Sequence, residues 1–182
     1  GFEEVYAVDG GSKAWVDSGR ELERGSTEAT PSGLAEARSR VTLVSPQELE
    51  ADKPATVINV ENSQDFTRGH IPGARWAPRG SLELQIAEFA PDKAASIVVT
   101  CNNGQNAVLA AATLKEIGYQ NVSALEGGMA AWRQVGLGIE EGLSGVMRAP
   151  TDVVLSGPER NFADMMNYLR WETALGEKYA TD

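Results

Sequence analysis

The chain has 182 residues, of which 42% are apolar and 23% are charged, enough to bury one ordinary core with extensions and too apolar for wholesale disorder. The net charge of −10 argues against a nucleic-acid partner, and no apolar run reaches the roughly 18 to 20 residues of a membrane span. We expect a cytoplasmic protein whose natural N-terminus is absent, because the sequence opens at Gly1 without methionine or a leader.

The first 25 residues repeat a later segment of the chain. Residues 1–25 align without a gap on residues 118–142 with ten identical positions, including five glycine pairs and Trp15 with Trp132. Composition alone gives about two identities. Because the offset of 117 residues is one domain length, we expect residues 1–25 to be the tail of a preceding copy in a tandem array. The alternative is a strand-and-helix unit duplicated within one domain. In either case, the two tryptophans are predicted to anchor a core and the glycine pairs 10–11 and 127–128 to form strand-to-helix turns.

Predicted strands and helices alternate through the next hundred residues. Small and polar residues indicate a linker over 26–40, and a short strand over 41–44 follows. Ser45-Pro46-Gln47-Glu48 has the pattern of a capping box that begins a helix. The apolar patterns further predict strands at 56–60, 96–100 and 122–125 and helices at 82–89, 105–117 and 129–135. This alternation is typical of an α/β fold, a three-layer parallel sheet flanked by helices.

The C-terminal part of the chain is predicted to be a helical extension. Residues 143–157 have the composition of a connector, and residues 158–182 contain one long helix from Pro158 to Tyr179. The apolar residues of this helix spread over more than a narrow stripe, so we expect it to pack against something. The candidates are its own domain, a neighbouring repeat or a second copy.

Cys101 is the single cysteine and directly follows the predicted strand 96–100. Open α/β sheets bind ligands at the carboxyl ends of their strands, and the N–H groups of the next turn stabilise an anion there. Gly104 permits a tight bend, so residues 102–107 can form a nest of main-chain donors. We therefore expect an ionised, solvent-accessible thiolate, with a buried inert thiol as the alternative.

Three segments resemble the rhodanese domain, the sulfurtransferase fold. VINVENSQDFTRGHIPGARWAP, residues 57–78, resembles the first half of the family with its Gly-His-Ile-Pro-Gly-Ala signature. VVTCNNGQNA, residues 98–107, is similar to the catalytic strand and its Cys-x-x-Gly loop, and residues 118–136 are similar to the closing strand and helix. The resemblance places a rhodanese domain at 41–142, and residues 1–25 resemble the same closing segment.

The resemblance implies a sulfurtransferase that uses no metal and no cofactor. Cys101 is expected to attack the outer sulfur of a small anionic donor such as thiosulfate, to hold it as a persulfide and to pass it to a thiol or to cyanide. The residues expected to bind the persulfide through their N–H groups are Asn102, Asn103, Gly104, Gln105, Asn106 and Ala107. The expected protein partners are neighbouring rhodanese repeats and, through the C-terminal helix, a second copy of the chain.

The chain departs from the family pattern at charged positions. Asn106 stands where many rhodaneses have arginine, and Asn59 and Glu61 stand where many have aspartate and arginine. The changes at 106 and 61 are expected to weaken the attraction for thiosulfate, and Asn106 to raise the thiol pKa relative to an arginine-bearing loop.

Four basic or titratable residues near the signature have two interpretations each. Arg68, Arg75 and Arg79 either flank the mouth of the site or lie in a solvated loop, and the second is the commoner case. His70 is the single histidine and is expected to bond a turn rather than to act in catalysis.

Two other functions are considered. An inactive rhodanese-like binding module in a larger protein is a second possibility, for which the missing loop arginine and the extra helix leave room. A cysteine phosphatase is disfavoured because such enzymes resemble Cys-x5-Arg, and Ala107 occupies the position of that arginine.

Overall fold

The computed structural model describes residues 6–22, 30–51, 56–146, 148–153 and 162–179. The chain divides into two compact units, Gly1–Pro31 and Ser32–Asp182. The described helices, numbered along the chain, are α1 (Gly11–Asp17) in the first unit and, in the second, α2 (Leu34–Arg40), α3 (Pro46–Ala51), α4 (Ser63–Arg68), α5 (Leu82–Phe89), α6 (Gln105–Glu116), α7 (Gly128–Gln134) and α8 (Phe162–Tyr179).

A parallel sheet of five strands forms the centre of the second unit. The strands are β1 (Thr42–Val44), β2 (Thr56–Asn59), β3 (Arg75–Trp76), β4 (Ser96–Thr100) and β5 (Asn121–Leu125). Their order is β1-β5-β4-β2-β3, and each neighbouring pair runs parallel. The three runs predicted as inner strands occupy the middle of the sheet, where both faces are buried. The sheet and its flanking helices confirm the predicted fold class.

Two apolar clusters pack on the sheet, because successive side chains of a strand point to opposite faces. Val99 of β4 belongs to a cluster that includes Leu82 of α5 and Val108 of α6. Val98, its neighbour in the strand, belongs to a cluster with Trp132 of α7. The result is the expected helix, sheet and helix layering.

The predicted capping box begins α3. Glu48 N–H donates to the Ser45 hydroxyl oxygen at 3.3 Å, and Ser45 N–H donates to Glu48 Oε2 at 2.8 Å. Two N–H groups that a helix start leaves without partners are thereby satisfied. This confirms the helix predicted after residue 45.

Residues 34–40 were predicted as the end of a linker, and this prediction is wrong, because they form α2. Ala37 is 3% exposed and belongs to the same apolar cluster as Val108 of α6. Leu34 packs against that cluster. These two residues are three apart and share one helix face, while the other residues of α2 are exposed and, apart from Ala35, polar. The composition of the segment therefore hides a helix that is stabilised by tertiary packing.

The segment predicted as a connector begins along the edge of the sheet. The Gly145 carbonyl oxygen accepts a hydrogen bond from Trp76 N–H at 3.3 Å. Further along, Asp152 Oδ2 accepts one from Ser63 N–H at the start of α4 at 2.7 Å. The described part of this segment is therefore bonded to the domain, at these two points among others.

In the first unit, α1 reproduces the local geometry of α7. Gly10 and Gly127 precede the two helices with φ of 70° and 66°. Trp15 and Trp132 each donate the indole N–H to the carbonyl oxygen six residues later, at 3.0 and 2.8 Å. Their burial differs, because Trp132 is 1% exposed and Trp15 is 39% exposed. The prediction that both tryptophans anchor a core is confirmed for Trp132 and is wrong for Trp15.

The C-terminal helix α8 ends at Tyr179, where the sequence predicts it to end, and the predicted start at 158 lies outside the described residues. Met165, Leu169 and Trp171 are exposed, so the expected burial of this helix is not found over the side chains described. Self-association through this surface stays a prediction. Among the helices described, none is both long enough and apolar enough to cross a bilayer.

Candidate active site

The Cys101 loop lies between the carboxyl end of β4 and the start of α6. Gly104 precedes α6 with φ of 84°, a left-handed conformation that glycine adopts without a steric penalty. The first turn of α7 holds the other side of the loop. Met129 N–H donates to the Cys101 carbonyl oxygen at 2.8 Å, and Ala130 N–H donates to the Asn102 carbonyl oxygen at 2.9 Å.

Gly128 allows α7 to approach the loop this closely. A Cβ atom at Gly128 would lie 2.1 Å from the Cys101 carbonyl oxygen and 2.6 Å from Gly104 N. The sequence interpretation treated the pair 127–128 as a turn and missed this role. The signal for it was a glycine at the first helical position, where a better helix former is expected.

The Cys101 sulfur accepts a hydrogen bond from the main chain of its own loop. Ala107 N–H donates to Sγ at 3.2 Å, and the N–H groups of Gly104 and Asn103 lie near enough to lower the thiol pKa. The thiol faces Asn103 Oδ1 at 3.9 Å. Cys101 is nevertheless 0% exposed, so the expectation of a solvent-accessible sulfur is wrong for this conformation. The arrangement is a buried thiol that accepts a hydrogen bond from Ala107, one residue of the predicted nest.

Other loop residues that were predicted to bind the persulfide make different contacts. Asn102 N–H donates to Glu61 Oε1 at 2.7 Å, and Gln105 N–H donates to Asn103 Oδ1 at 3.1 Å. Asn106 is exposed in the first turn of α6. Two of the N–H groups assigned to the persulfide are therefore bonded to side chains in this conformation.

Two carboxylates border the loop next to β2. Besides Glu61, Asp65 of α4 accepts a hydrogen bond at Oδ2 from Asn102 Nδ2 at 3.0 Å. The other oxygen of Asp65 pairs with Arg68 at 2.8 Å. The sequence interpretation missed Asp65, although the spacing of Asn62 and Asp65 is a helix-start pattern that could have placed it, and Asp65 N–H does donate to Asn62 Oδ1 at 2.9 Å.

The environment raises the pKa of the Cys101 thiol. Burial is the largest cause, since it disfavours the thiolate. The Ala107 N–H lowers the pKa, the Glu61 carboxylate raises it, and the Gly104 and Asn103 N–H groups lower it. Burial outweighs the amides, so the expectation of an ionised thiol at neutral pH is wrong for this conformation.

The three candidate arginines have separate environments. Arg68 reaches the loop only through Asp65. Arg79 pairs with Glu83 at 2.6 Å, and Arg75 is exposed on β3. None of them is bonded to the Cys101 loop itself among the contacts of the described residues.

His70 is a buried turn residue, as predicted. Its Nδ1 lies 2.9 Å from the Phe66 carbonyl oxygen and therefore donates to it. Its main chain exchanges two hydrogen bonds of 2.9 Å with Glu140, which holds residues after α7 against the turn before β3. These contacts give His70 a structural role.

Comparison with known proteins agrees with this architecture. The sequence profile of the rhodanese-like domain matches residues 45–135. Thiosulfate sulfurtransferase GlpE of Pseudomonas aeruginosa is 37% identical over 81 residues, which are 44% of this chain and 72% of that protein.

Solved structures show the same likeness. The crystal structure of a thiosulfate sulfurtransferase from Pseudomonas aeruginosa matches with a TM-score of 0.63 and 26% identity, over 88% of this chain and 30% of that chain. A Rhodopseudomonas palustris protein of unknown function, described as a possible tyrosine phosphatase, matches with a TM-score of 0.56 and 26% identity, over 66% of this chain and 100% of that chain. With its profile match, its parallel sheet and a cysteine loop at the end of β4, the chain belongs to the family of rhodanese-like domains.

Proposed function

We propose that this rhodanese-like domain is a sulfurtransferase that carries sulfane sulfur as a persulfide on Cys101. The observation that carries the proposal is the position of Sγ, which accepts a hydrogen bond from Ala107 N–H at 3.2 Å in a loop whose Gly104 and Asn103 N–H groups also lower the thiol pKa. Fixed N–H donors stabilise an anion without proton transfer, and both a thiolate and a persulfide are anions. Relatives named thiosulfate sulfurtransferase support the same chemistry.

The reaction divides into two transfers. The Cys101 thiol loses its proton to solvent, and the thiolate attacks the sulfane sulfur of the donor. A sulfur–sulfur bond to Cys101 forms, the bond to the rest of the donor breaks, and the donor leaves with the electron pair, as sulfite when it is thiosulfate. An acceptor thiolate or cyanide then attacks the outer sulfur, and Cys101 leaves as the thiolate.

Access to the sulfur requires a local movement. Cys101 has no exposed surface, and Asn103 is the exposed loop residue whose side-chain oxygen faces Sγ. Among the contacts of the described residues, a rotation of the Asn103 side chain breaks this weak contact and its bond to Gln105 N–H. The donor therefore enters from the Asn103 side in this proposal.

The test is the intact mass of the protein after incubation with thiosulfate and, separately, with cysteine persulfide. We expect a gain of one sulfur atom that cyanide removes and that Cys101→Ser lacks. Because Cys101 is the single cysteine, the gain reports this site alone. Cys101→Ala should also lose the gain while its unfolding free energy falls by no more than about 1 to 2 kcal/mol, because only a small buried group is removed.

An unchanged mass with both donors contradicts the proposal. That result supports the inactive binding module instead, since a module that only binds needs no reactive thiol.

We also propose that the first unit is the closing segment of another rhodanese-like domain. Support comes from the ten identities with residues 118–142 and from the shared geometry of α1 and α7. The match to the Pseudomonas aeruginosa structure covers 88% of this chain and 30% of that one, so that chain extends well beyond the matched region. A neighbouring repeat is then the partner of this unit.

A further inference from the structure

We infer that Glu61 selects the sulfur donor by its charge, so that organic persulfides with at most one negative charge load Cys101 faster than the thiosulfate dianion does. The inference rests on the proposed function and names its substrate class. It depends on where the carboxylate is held, on the loop N–H group whose hydrogen bond it accepts and, among the described residues, on the absence of an ion-paired cation.

The Glu61 main chain is fixed at the end of β2. Its N–H donates to Asn59 Oδ1 at 2.9 Å, and its carbonyl oxygen accepts the indole N–H of Trp76 at 2.8 Å. Both partners are buried. The main chain of Glu61 therefore cannot move away from the loop without breaking these two bonds, and it keeps the carboxylate within reach of Asn102 N–H.

The Glu61 carboxylate accepts a hydrogen bond from one main-chain N–H group of the cysteine loop, so this N–H group is not free to bind a donor anion. Asn102 N–H, the first amide after Cys101, donates to Glu61 Oε1 at 2.7 Å, the short distance of a hydrogen bond to a charged acceptor. A donor anion therefore meets a carboxylate where a free amide was predicted. That Glu61 also raises the pKa of Cys101 agrees with a negative charge close to the sulfur.

No described cation cancels this charge. Among the ion pairs of the described residues, none involves Glu61, and the nearby Arg68 is paired with Asp65. Asp65 adds a second carboxylate on the Asn102 side chain, and position 106 is an exposed asparagine. The loop is partly buried, so the repulsion is screened less than it is in water.

The consequence differs between donors. Thiosulfate brings two negative charges to the attacking thiolate and leaves as the sulfite dianion. An organic persulfide, RS–SH, brings at most one charge to this centre; the thiolate attacks its terminal sulfur, the S–S bond breaks, and RS⁻ leaves with the electron pair. Repulsion by Glu61 therefore penalises thiosulfate more strongly.

The experiment measures the second-order rate of sulfur loading on Cys101, by intact mass, with thiosulfate and with cysteine persulfide. The variants are wild type, Glu61→Gln and Glu116→Gln. Glutamine keeps an oxygen for Asn102 N–H and removes the charge. Glu116 pairs with Arg40 at the far end of α6, so its variant changes the net charge equally without touching the loop.

We expect wild type to load faster from cysteine persulfide than from thiosulfate. Glu61→Gln should raise the ratio of the thiosulfate rate to the cysteine persulfide rate on the order of tenfold, and Glu116→Gln should leave it unchanged. The ratio cancels any change in the thiol pKa, because that change affects both donors alike. Glu61→Ala removes the same charge and replaces the glutamine variant if that one does not fold.

Three results overturn the inference. If Cys101 loads but wild type prefers thiosulfate, or if the ratio is the same in wild type and Glu61→Gln, then Glu61 does not select the donor and the proposed function stands. If neither donor loads Cys101 in wild type or in the Glu61 variants, the proposed function fails and the inference falls with it.

Discussion

At Cys101, burial and hydrogen bonding act on the thiol in opposite directions. Removal from water favours the neutral thiol and is the largest effect, while the Ala107 N–H favours the thiolate and Glu61 disfavours it. The pKa is raised as a result, and most molecules carry the thiol at neutral pH. The proposed nucleophile is therefore protected and reacts slowly until its proton leaves.

The raised pKa predicts the pH dependence of Cys101 reactivity. We expect the rate of alkylation by iodoacetamide to rise roughly tenfold per pH unit from about pH 6 to about pH 8, because only the thiolate attacks and its fraction grows tenfold per unit below the pKa. Intact mass at fixed times gives the rate, with Cys101→Ser as the blank. A rate that levels off below about pH 7 would mean that the amides outweigh burial.

At the scale of elements, the position of the cysteine loop depends on α7. The first N–H groups of this helix bind the Cys101 and Asn102 carbonyl oxygens, and a Cβ atom at Gly128 would lie within 2.1 Å of the first of these oxygens. Gly11 of α1 has nearly the same φ, 61° against 59°, but has nothing within 4 Å of a built Cβ atom. The two glycines form a matched pair for the effect of close packing.

We expect Gly128→Ala to reduce sulfur loading on Cys101 more than about tenfold and Gly11→Ala to leave it unchanged. Both variants carry the same strain of an alanine in a left-handed backbone conformation, about 1 to 2 kcal/mol. Only Gly128→Ala adds a collision with the loop, which pushes α7 away from it. Loading rates by intact mass and melting temperatures are compared. Wild-type loading by Gly128→Ala would show that the loop keeps its geometry without α7.

At the scale of the whole molecule, the two repeated segments, residues 1–25 and 118–142, differ in how far their helices are buried. Helix α1 has no buried residue, whereas α7 contributes Met129 and Trp132 to the core. We expect Trp132→Ala to lower the unfolding free energy by about 3 to 5 kcal/mol and Trp15→Ala to lower it by much less, because a cavity forms only where the ring is buried.

Urea unfolding followed by circular dichroism measures both variants. Equal losses would contradict the assignment of the first unit as a closing segment without its own core.

Local signals were sufficient for most elements of the sheet domain. The predicted boundaries of β4 and α5 agree with the structure residue for residue, because apolar runs and helix periodicity act within each segment. The helix α2 and the two-residue strand β3 were not predicted, since their burial or pairing depends on partners far along the chain. The loop glycine and the cysteine were found from their place after a strand.

By itself the sequence determined the α/β architecture, the repeat between residues 1–25 and 118–142, and Cys101 as the reactive candidate, because periodicity, identity and strand-end position are written along the chain. Only the tertiary structure decided that the Cys101 thiol is buried, that Glu61 accepts the hydrogen bond of Asn102 N–H and that the Trp15 side chain is exposed. Those outcomes depend on contacts between residues as much as 41 positions apart, which packing creates and local sequence does not encode.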